Sequence, residues 1–179
     1  MFPEGKYARV EWERRFLLSS FPRGEKVTRI RLIGDRYIHG TTLRLRQQSD
    51  GDGQLVFKLT QELPEGTVRG QQGLITTMYD DVRRCTTMYD EFNVLATLPA
   101  KELTKVRHSV PPFAIDVFEE TLSGLVLAEA EFNSAADASA LVLPSFIAAE
   151  VSDDPRFTGG SLCAASRAEL AKWLAEHGV

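Results

Sequence analysis

Between Val10 and Leu18 the chain reads Val-Glu-Trp-Glu-Arg-Arg-Phe-Leu-Leu. Successive side chains of a β-strand point to opposite faces, so Glu11, Glu13 and Arg15 share one face while Val10, Trp12 and Phe16 share the other. Arg14 is the exception to the apolar set. The pattern recurs in Leu43-Arg44-Leu45-Arg46, in Lys105-Val106-Arg107 and in Leu127-Ala128-Glu129-Ala130-Glu131-Phe132. Taken singly, each pair fits a solvated strand face, since a half-buried strand ordinarily turns its charges to water. Paired charges of both signs on five or more strands point instead to a shared polar interior walled by β-sheet.

The same alternation lays out the remaining elements. Residues 27–33 are β-branched and alternating, which predicts a strand. Gly34-Asp35 reads as a turn into residues 36–39, and Gly40-Thr41-Thr42 leads into the strand at 43–47. Asp50-Gly51-Asp52-Gly53 is a hairpin signal, followed by a strand over 54–60 and a turn at Pro64-Glu65-Gly66. Phe92, Leu95 and Leu98 are in helical register, and Pro99 stops that helix. Strands follow at 105–110 and, after Pro111-Pro112, at 113–119; Ser123-Gly124 turns into one over 125–132. Ser134-Ala135-Ala136-Asp137 resembles a capping box and opens a short helix that Pro144 ends. Ser166-Arg167-Ala168-Glu169 is a fuller box, with Leu170, Trp173 and Leu174 as its apolar stripe and Gly178 as its stop. The sum is seven or eight strands and three helices, an antiparallel α+β layout without βαβ alternation. Residues 76–80 and 86–90 are both Thr-Thr-Met-Tyr-Asp, a spacing too short for a solenoid. It reads as a local duplication that lengthens a loop.

At 179 residues the chain fits one domain, 1–179, with 43% hydrophobic and 26% charged residues, an ordinary globular composition. A net charge of -4 gives no basic excess for duplex nucleic acid. Cys85 and Cys163 are the only cysteines and read as free thiols of a reducing compartment. Neither a signal peptide nor a run of ~20 apolar residues is visible, so a cytoplasmic protein without membrane contact is expected. His39, His108 and His177 have no zinc spacing, and no P-loop, Ser-His-Asp order or dinucleotide fingerprint occurs.

The paired positions collect Glu11, Glu13, Asp116, Glu129 and Glu131 against Arg15, Arg44, Arg46, Lys58, Lys105 and Arg107, and Arg29, Arg31 and Arg36 can join the basic set. Carboxylates at i and i+2 converge on one spot and suit a hard cation such as Mg²⁺ or Mn²⁺. Arg and Lys gathered in a cavity need an anion, and guanidinium forks match phosphate oxygens. An oxygen-rich anion that also takes a metal is a polyphosphate.

At this point the residues resemble a known family. Glu11-Trp12-Glu13-Arg14-Arg15-Phe16-Leu17 is similar to the Glu-x-Glu-x-Lys signature of the CYTH domain, or triphosphate tunnel metalloenzymes. Asp35-Arg36-Tyr37-Ile38, Gly40-Thr41, Leu43 to Arg46, Lys58 in Phe-Lys-Leu-Thr, Lys105-x-Arg107, Asp116 to Glu119, Leu127 to Phe132 and Glu150 to Phe157 follow in the family's order. The likeness runs from about Tyr7 to Cys163. It implies a closed tunnel of eight antiparallel strands with helices outside, the C-terminal helix at 166–178 among them. It implies metal-dependent hydrolysis of triphosphate groups, inorganic triphosphate first among them. Adenylate cyclisation on the same scaffold and a non-catalytic triphosphate, polyphosphate or nucleotide binder are the alternatives, and the partner is a small molecule in either a monomer or a homodimer. Carried over, Glu13, Glu129 and Glu131 hold the metal, and Glu11 and Asp116 support a second metal or orient water. Arg15, Arg44, Arg46, Lys58, Lys105 and Arg107 grip the triphosphate, with Tyr37 near the leaving group and Lys105 catalytic as well. Position 15 is Arg where the signature has Lys, which preserves phosphate binding and puts any proton transfer there in doubt.

Overall fold

The computed structural model describes residues 8–62, 72–78 and 92–179. The turn expected at Pro64-Glu65-Gly66, the second Thr-Thr-Met-Tyr-Asp and Cys85 lie outside them. Among the described residues nine strands follow in chain order: β1 (Ala8–Leu17), β2 (Arg29–Ile38), β3 (Leu43–Asp50), β4 (Leu55–Glu62), β5 (Gln72–Met78), β6 (Ala100–Val110), β7 (Phe113–Phe118), β8 (Val126–Phe132) and β9 (Ala149–Glu150). Residues 92–96 form α1, and α2 (Ala135–Ser139), α3 (Gly159–Leu162) and α4 (Arg167–Glu176) follow.

The expectation of a closed eight-stranded barrel is corrected. The sheet has nine strands in the order β5-β4-β3-β2-β6-β7-β8-β1-β9, with an added β5–β1 pairing. That pairing takes in only Ala8 to Glu11 of β1. Trp12 to Leu17 pair with β8, and Phe16 and Leu17 also pair with β9. The β5 ladder therefore stops after the first four residues of β1, and the sheet is not closed along the rest of that strand. The extra strand arises because residues 149–150, which carry too little pattern to read as a strand, add to the edge of β1.

Two compact units divide the chain: residues 1–11 with 34–102, and residues 12–33 with 103–179. In the first, the β3–β4 hairpin pairs Arg44 with Thr60, Arg46 with Lys58 and Ser49 with Leu55. Its turn forms because Gly53 adopts φ 77°, a region that disfavours a side chain, and because Asp50 Oδ1 accepts from the amides of Asp52 and Gln54 at 3.3 and 3.1 Å. The turn expected at Gly34-Asp35 is absent, since β2 runs through both residues. Asp35 is tolerated mid-strand because Arg46 satisfies its carboxylate at 2.6 and 2.7 Å.

The second unit is built on two faces of β6, β7, β8 and the latter part of β1. On one, Phe16, Leu18, Val110, Phe113, Ile115, Val126, Ala128 and Ala130 form an apolar core. On the other, Leu17, Leu103, Phe118 and Leu127 pack with Val151, Phe157, Leu162 and Leu170 from the C-terminal segment. Glu13, Arg15, Lys105, Arg107, Asp116, Glu129 and Glu131 belong by alternation to this second face, so one row of charges stands beside an apolar floor. Arg14 points the other way. Its guanidinium forks Glu150 at 2.9 and 2.6 Å and donates to the Ala138 carbonyl at 2.9 Å, which explains how a charge fits an otherwise apolar set.

Both helix starts form where the spacing predicts them, but at α2 the Ser134 hydroxyl accepts from the Asp137 amide at 3.1 Å without the reciprocal bond of a full box, and α2 ends at Ser139, before Pro144 is reached. At α4 the Ser166 hydroxyl accepts from the Glu169 amide and Glu169 reaches back to the Ser166 amide, so two orphan donors are satisfied reciprocally. Ser166→Ala is expected to cost about 1 kcal/mol, read as a fall of a few degrees in melting temperature. An unchanged midpoint would mean that packing of Leu170 alone holds the helix start.

Candidate active site

The charged face of the second unit is set by strand register. Glu13 stands across from Glu131 and Arg15 from Glu129 on the β1–β8 ladder, Glu129 across from Ala114 on β7–β8, and Asp116 across from Arg107 on β6–β7. Alternation then turns these side chains to one side, and hydrogen bonds link them. Asp116 is fully buried and lies at the centre. Lys105 Nζ donates to its Oδ2 at 2.5 Å, while Arg107 Nε and Nη2 fork Oδ1 and Oδ2 at 2.6 Å each. Arg107 Nη2 also donates to Glu129. Arg15 Nε donates to Glu13 Oε1 at 2.7 Å.

The electrostatics follow from that wiring. Burial pushes the Asp116 carboxyl up, but Arg107 and Lys105 outweigh it and hold the group far below the usual carboxylate range. Glu129 is lowered by the same two cations against its own burial. Glu13 goes the other way: burial and the neighbouring Glu129 outweigh Arg15 and push it up to about 7. Four carboxylates thus face three cations, and Glu13 feels the charge of both Glu129 and Glu131. A hard cation would relieve it. Among the described residues, however, no three His, Cys, Asp or Glu side chains stand assembled to hold a metal. The reason is visible in the contacts, since Arg15 holds Glu13 and Arg107 holds Glu129.

The first unit carries a separate set. Arg44 and Arg46 alternate along β3 and register with Thr60 and Lys58. Arg44 Nη1 donates to the Tyr37 hydroxyl at 3.4 Å, and its guanidinium lies 5.9 Å from that ring's centroid. Arg36 pairs with Glu102 on the same unit. The side chain of Glu11 lies outside the described residues.

Sequence reasoning missed three participants. Asp35, the partner of Arg46, was hidden by its reading as a turn residue, although it stands at i-2 from Tyr37 on the same strand face. Ser152 receives the Arg15 amide at 3.0 Å, and the Phe157 carbonyl receives Arg15 Nη1 at 3.3 Å. A main-chain carbonyl carries no residue-type signal, so nothing in the sequence marks it.

A network of carboxylates and cations on one strand face is what the Glu-x-Glu and Lys-x-Arg spacings predict, and the contacts above show it. The chain is similar to an inorganic triphosphatase. That relative, from Nitrosomonas europaea, is 29% identical over 161 residues, which is 86% of this chain and 96% of the relative. No family model matches the chain. Two crystal structures share its fold, each with a TM-score of 0.52. One, described as the hypothetical protein NE1496, is 24% identical and covers 87% of this chain and 99% of its own. The other, described as the inorganic triphosphatase NE1496, is 23% identical and covers 88% and 96%. Relative and fold agree with the resemblance drawn from the residues.

Proposed function

We propose that this chain hydrolyses triphosphate groups, with inorganic triphosphate as substrate and a divalent cation, Mg²⁺ or Mn²⁺, as cofactor. The observation that carries the reading is the charged face of the second unit, with four carboxylates against three cations, in a chain similar to an inorganic triphosphatase. A binder of phosphate alone gains nothing from this many carboxylates. A cytoplasmic location belongs to the same proposal, and among the described residues no helix is long and apolar enough to cross a membrane.

Carboxylate oxygens are the donors a hard cation takes, and the raised Glu13, under the charge of Glu129 and Glu131, supports placing one there. Glu13, Glu129 and Glu131 would hold it, and Asp116 of the same face would support it. When bound, such an ion neutralises phosphate oxygens and acidifies water. The residues do the rest. Asp116 holds Lys105 and Arg107 in place, and a cation fixed in this way would meet charge that grows in the transition state without reorganising. Asp116 itself is a poor proton acceptor, being held so low. Arg44, Arg46 and Lys58 of the first unit are proposed as phosphate-binding residues, with Tyr37 orienting Arg44. In the reaction a water oxygen bonds to the terminal phosphorus in line with the departing bridge oxygen. That P–O bond breaks, pyrophosphate leaves with its electron pair, and a carboxylate takes the water's proton.

The test is phosphate release from inorganic triphosphate, beside ATP and thiamine triphosphate, with Mg²⁺, Mn²⁺ or EDTA. Release only with metal is expected, and Glu131→Gln should cut turnover by about a hundredfold or more with an unchanged melting temperature, since Glu131 is exposed. Wild-type turnover in that variant would remove Glu131 from the ligand set. A melting temperature raised by triphosphate in EDTA, with no release under any condition, would instead favour a binding module.

A further inference from the structure

We infer that Arg15 is a positioning residue that fixes Glu13 and anchors the segment after β9, and that it does not grip the substrate. The kinetic part rests on the proposed triphosphatase activity, whereas the anchoring part stands on the contacts alone. A residue that grips phosphate presents its N–H groups to an anion from solvent. Arg15 instead commits its guanidinium to the protein from two sides, one of them outside the charged face. Nε donates to Glu13 at 2.7 Å and Nη1 to the Phe157 carbonyl at 3.3 Å, and Phe157 is part of the apolar floor. The main chain of the same residue is also engaged. Its amide donates to Ser152 Oγ at 3.0 Å, and its carbonyl accepts from the Val151 amide at 2.8 Å.

Arg15 therefore joins three points: the carboxyl of Glu13, the start of the segment at residues 151–152 and its end at Phe157. Ser152 in turn donates to Glu150 at 2.7 Å, the carboxylate that Arg14 forks from the opposite face. The chemistry explains why Arg serves here where a signature of this kind has Lys. Nε and Nη1 diverge from a rigid plane and reach two acceptors in fixed directions, which a single ammonium on a flexible stem does not match.

The experiment compares wild type, Arg15→Gln and Arg15→Lys by three readouts on the full chain. The first is kcat and KM for inorganic triphosphate with Mg²⁺. The second is calorimetric binding of a triphosphate with imido bridges, which is not hydrolysed. The third is hydrogen exchange over residues 150–157. For Arg15→Gln a kcat lower by roughly ten- to a hundredfold is expected, as for a misplaced group near the chemistry. KM and the analogue's Kd should stay within about threefold, the mark of an interaction outside ground-state binding. Exchange over 150–157 should rise by about tenfold or more. Arg15→Lys keeps the charge and should leave analogue binding unchanged while recovering kcat only in part. A KM and Kd raised tenfold with kcat unchanged would overturn the inference and make Arg15 a substrate ligand. Faster exchange with unaltered kcat would reduce it to a structural tie and overturn the positioning role. A wild type that neither binds the analogue nor releases phosphate would end the triphosphatase reading, and the exchange readout would still decide the anchor.

Discussion

Glu13→Gln is expected to make the metal-free protein more stable above neutral pH while removing most of its turnover. The two effects have one origin. Burial and the adjacent Glu129 raise the Glu13 carboxyl to about 7 in the folded chain, whereas an unfolded chain has it near ~4.3. Between those values the folded state holds the proton more tightly, so stability falls as pH rises through that window. The loss is complete above about pH 7. Its size is of the order of a few kcal/mol at most. Gln cannot ionise, and its amide oxygen can still accept from Arg15. The variant's melting temperature should therefore stay level from pH 5 to 8 while that of the wild type declines. Adding Mg²⁺ at pH 8 should restore the wild type and leave the variant unmoved. If both proteins show the same pH profile, Glu13 does not carry the excess charge and the metal assignment loses its support.

Asp116→Ala is expected to cost more stability than any other single change on this face. It leaves Lys105 and Arg107 buried without their shared partner, and breaking a buried ion pair from one side costs about 3–5 kcal/mol. A second variant separates charge from cavity: Asp116→Asn keeps the volume and loses the charge. Most of the loss should persist in it, and Lys105→Met added to Asp116→Asn should recover part. A fall equal to that of an ordinary small cavity, with no recovery, would mean that the ions are solvated. The acid limb follows the same logic. Asp116 is depressed in the folded state, so its contribution is present above the unfolded carboxyl value near ~3.9 and is lost as pH falls below it.

Much of the second unit was legible because its signal is local. Alternation with period two identified Glu13 with Arg15, Lys105 with Arg107, and Glu129 with Glu131 as facing one way. Strand register then brought them together, as Asp116 across from Arg107 shows. Sheet closure was not legible, since it depends on where each strand's ladder stops. The β5 pairing ends at Glu11 of β1, and no residue at that position announces it. Ala149-Glu150 is too short to show alternation, and Gly34-Asp35 misled because the residues that favour turns also occur in strands when a partner such as Arg46 is supplied from elsewhere. The role of Arg14 was equally hidden, for its acceptors are Glu150 and a backbone carbonyl far along the chain.

Arg14 and Arg15 are neighbours in sequence that face opposite ways, one holding Glu150 from outside and the other holding Glu13 and Phe157 from within. That adjacency limits how the gene can drift. Substitutions along β1 are judged one at a time and many can be absorbed. A codon inserted or deleted just before Glu13 is another matter, because a one-residue slip sends every later side chain to the wrong face. It would exchange the two arginines and expel Glu13 in a single event. Descendants of this chain should therefore vary freely in the length of their loops and keep the length of this strand constant.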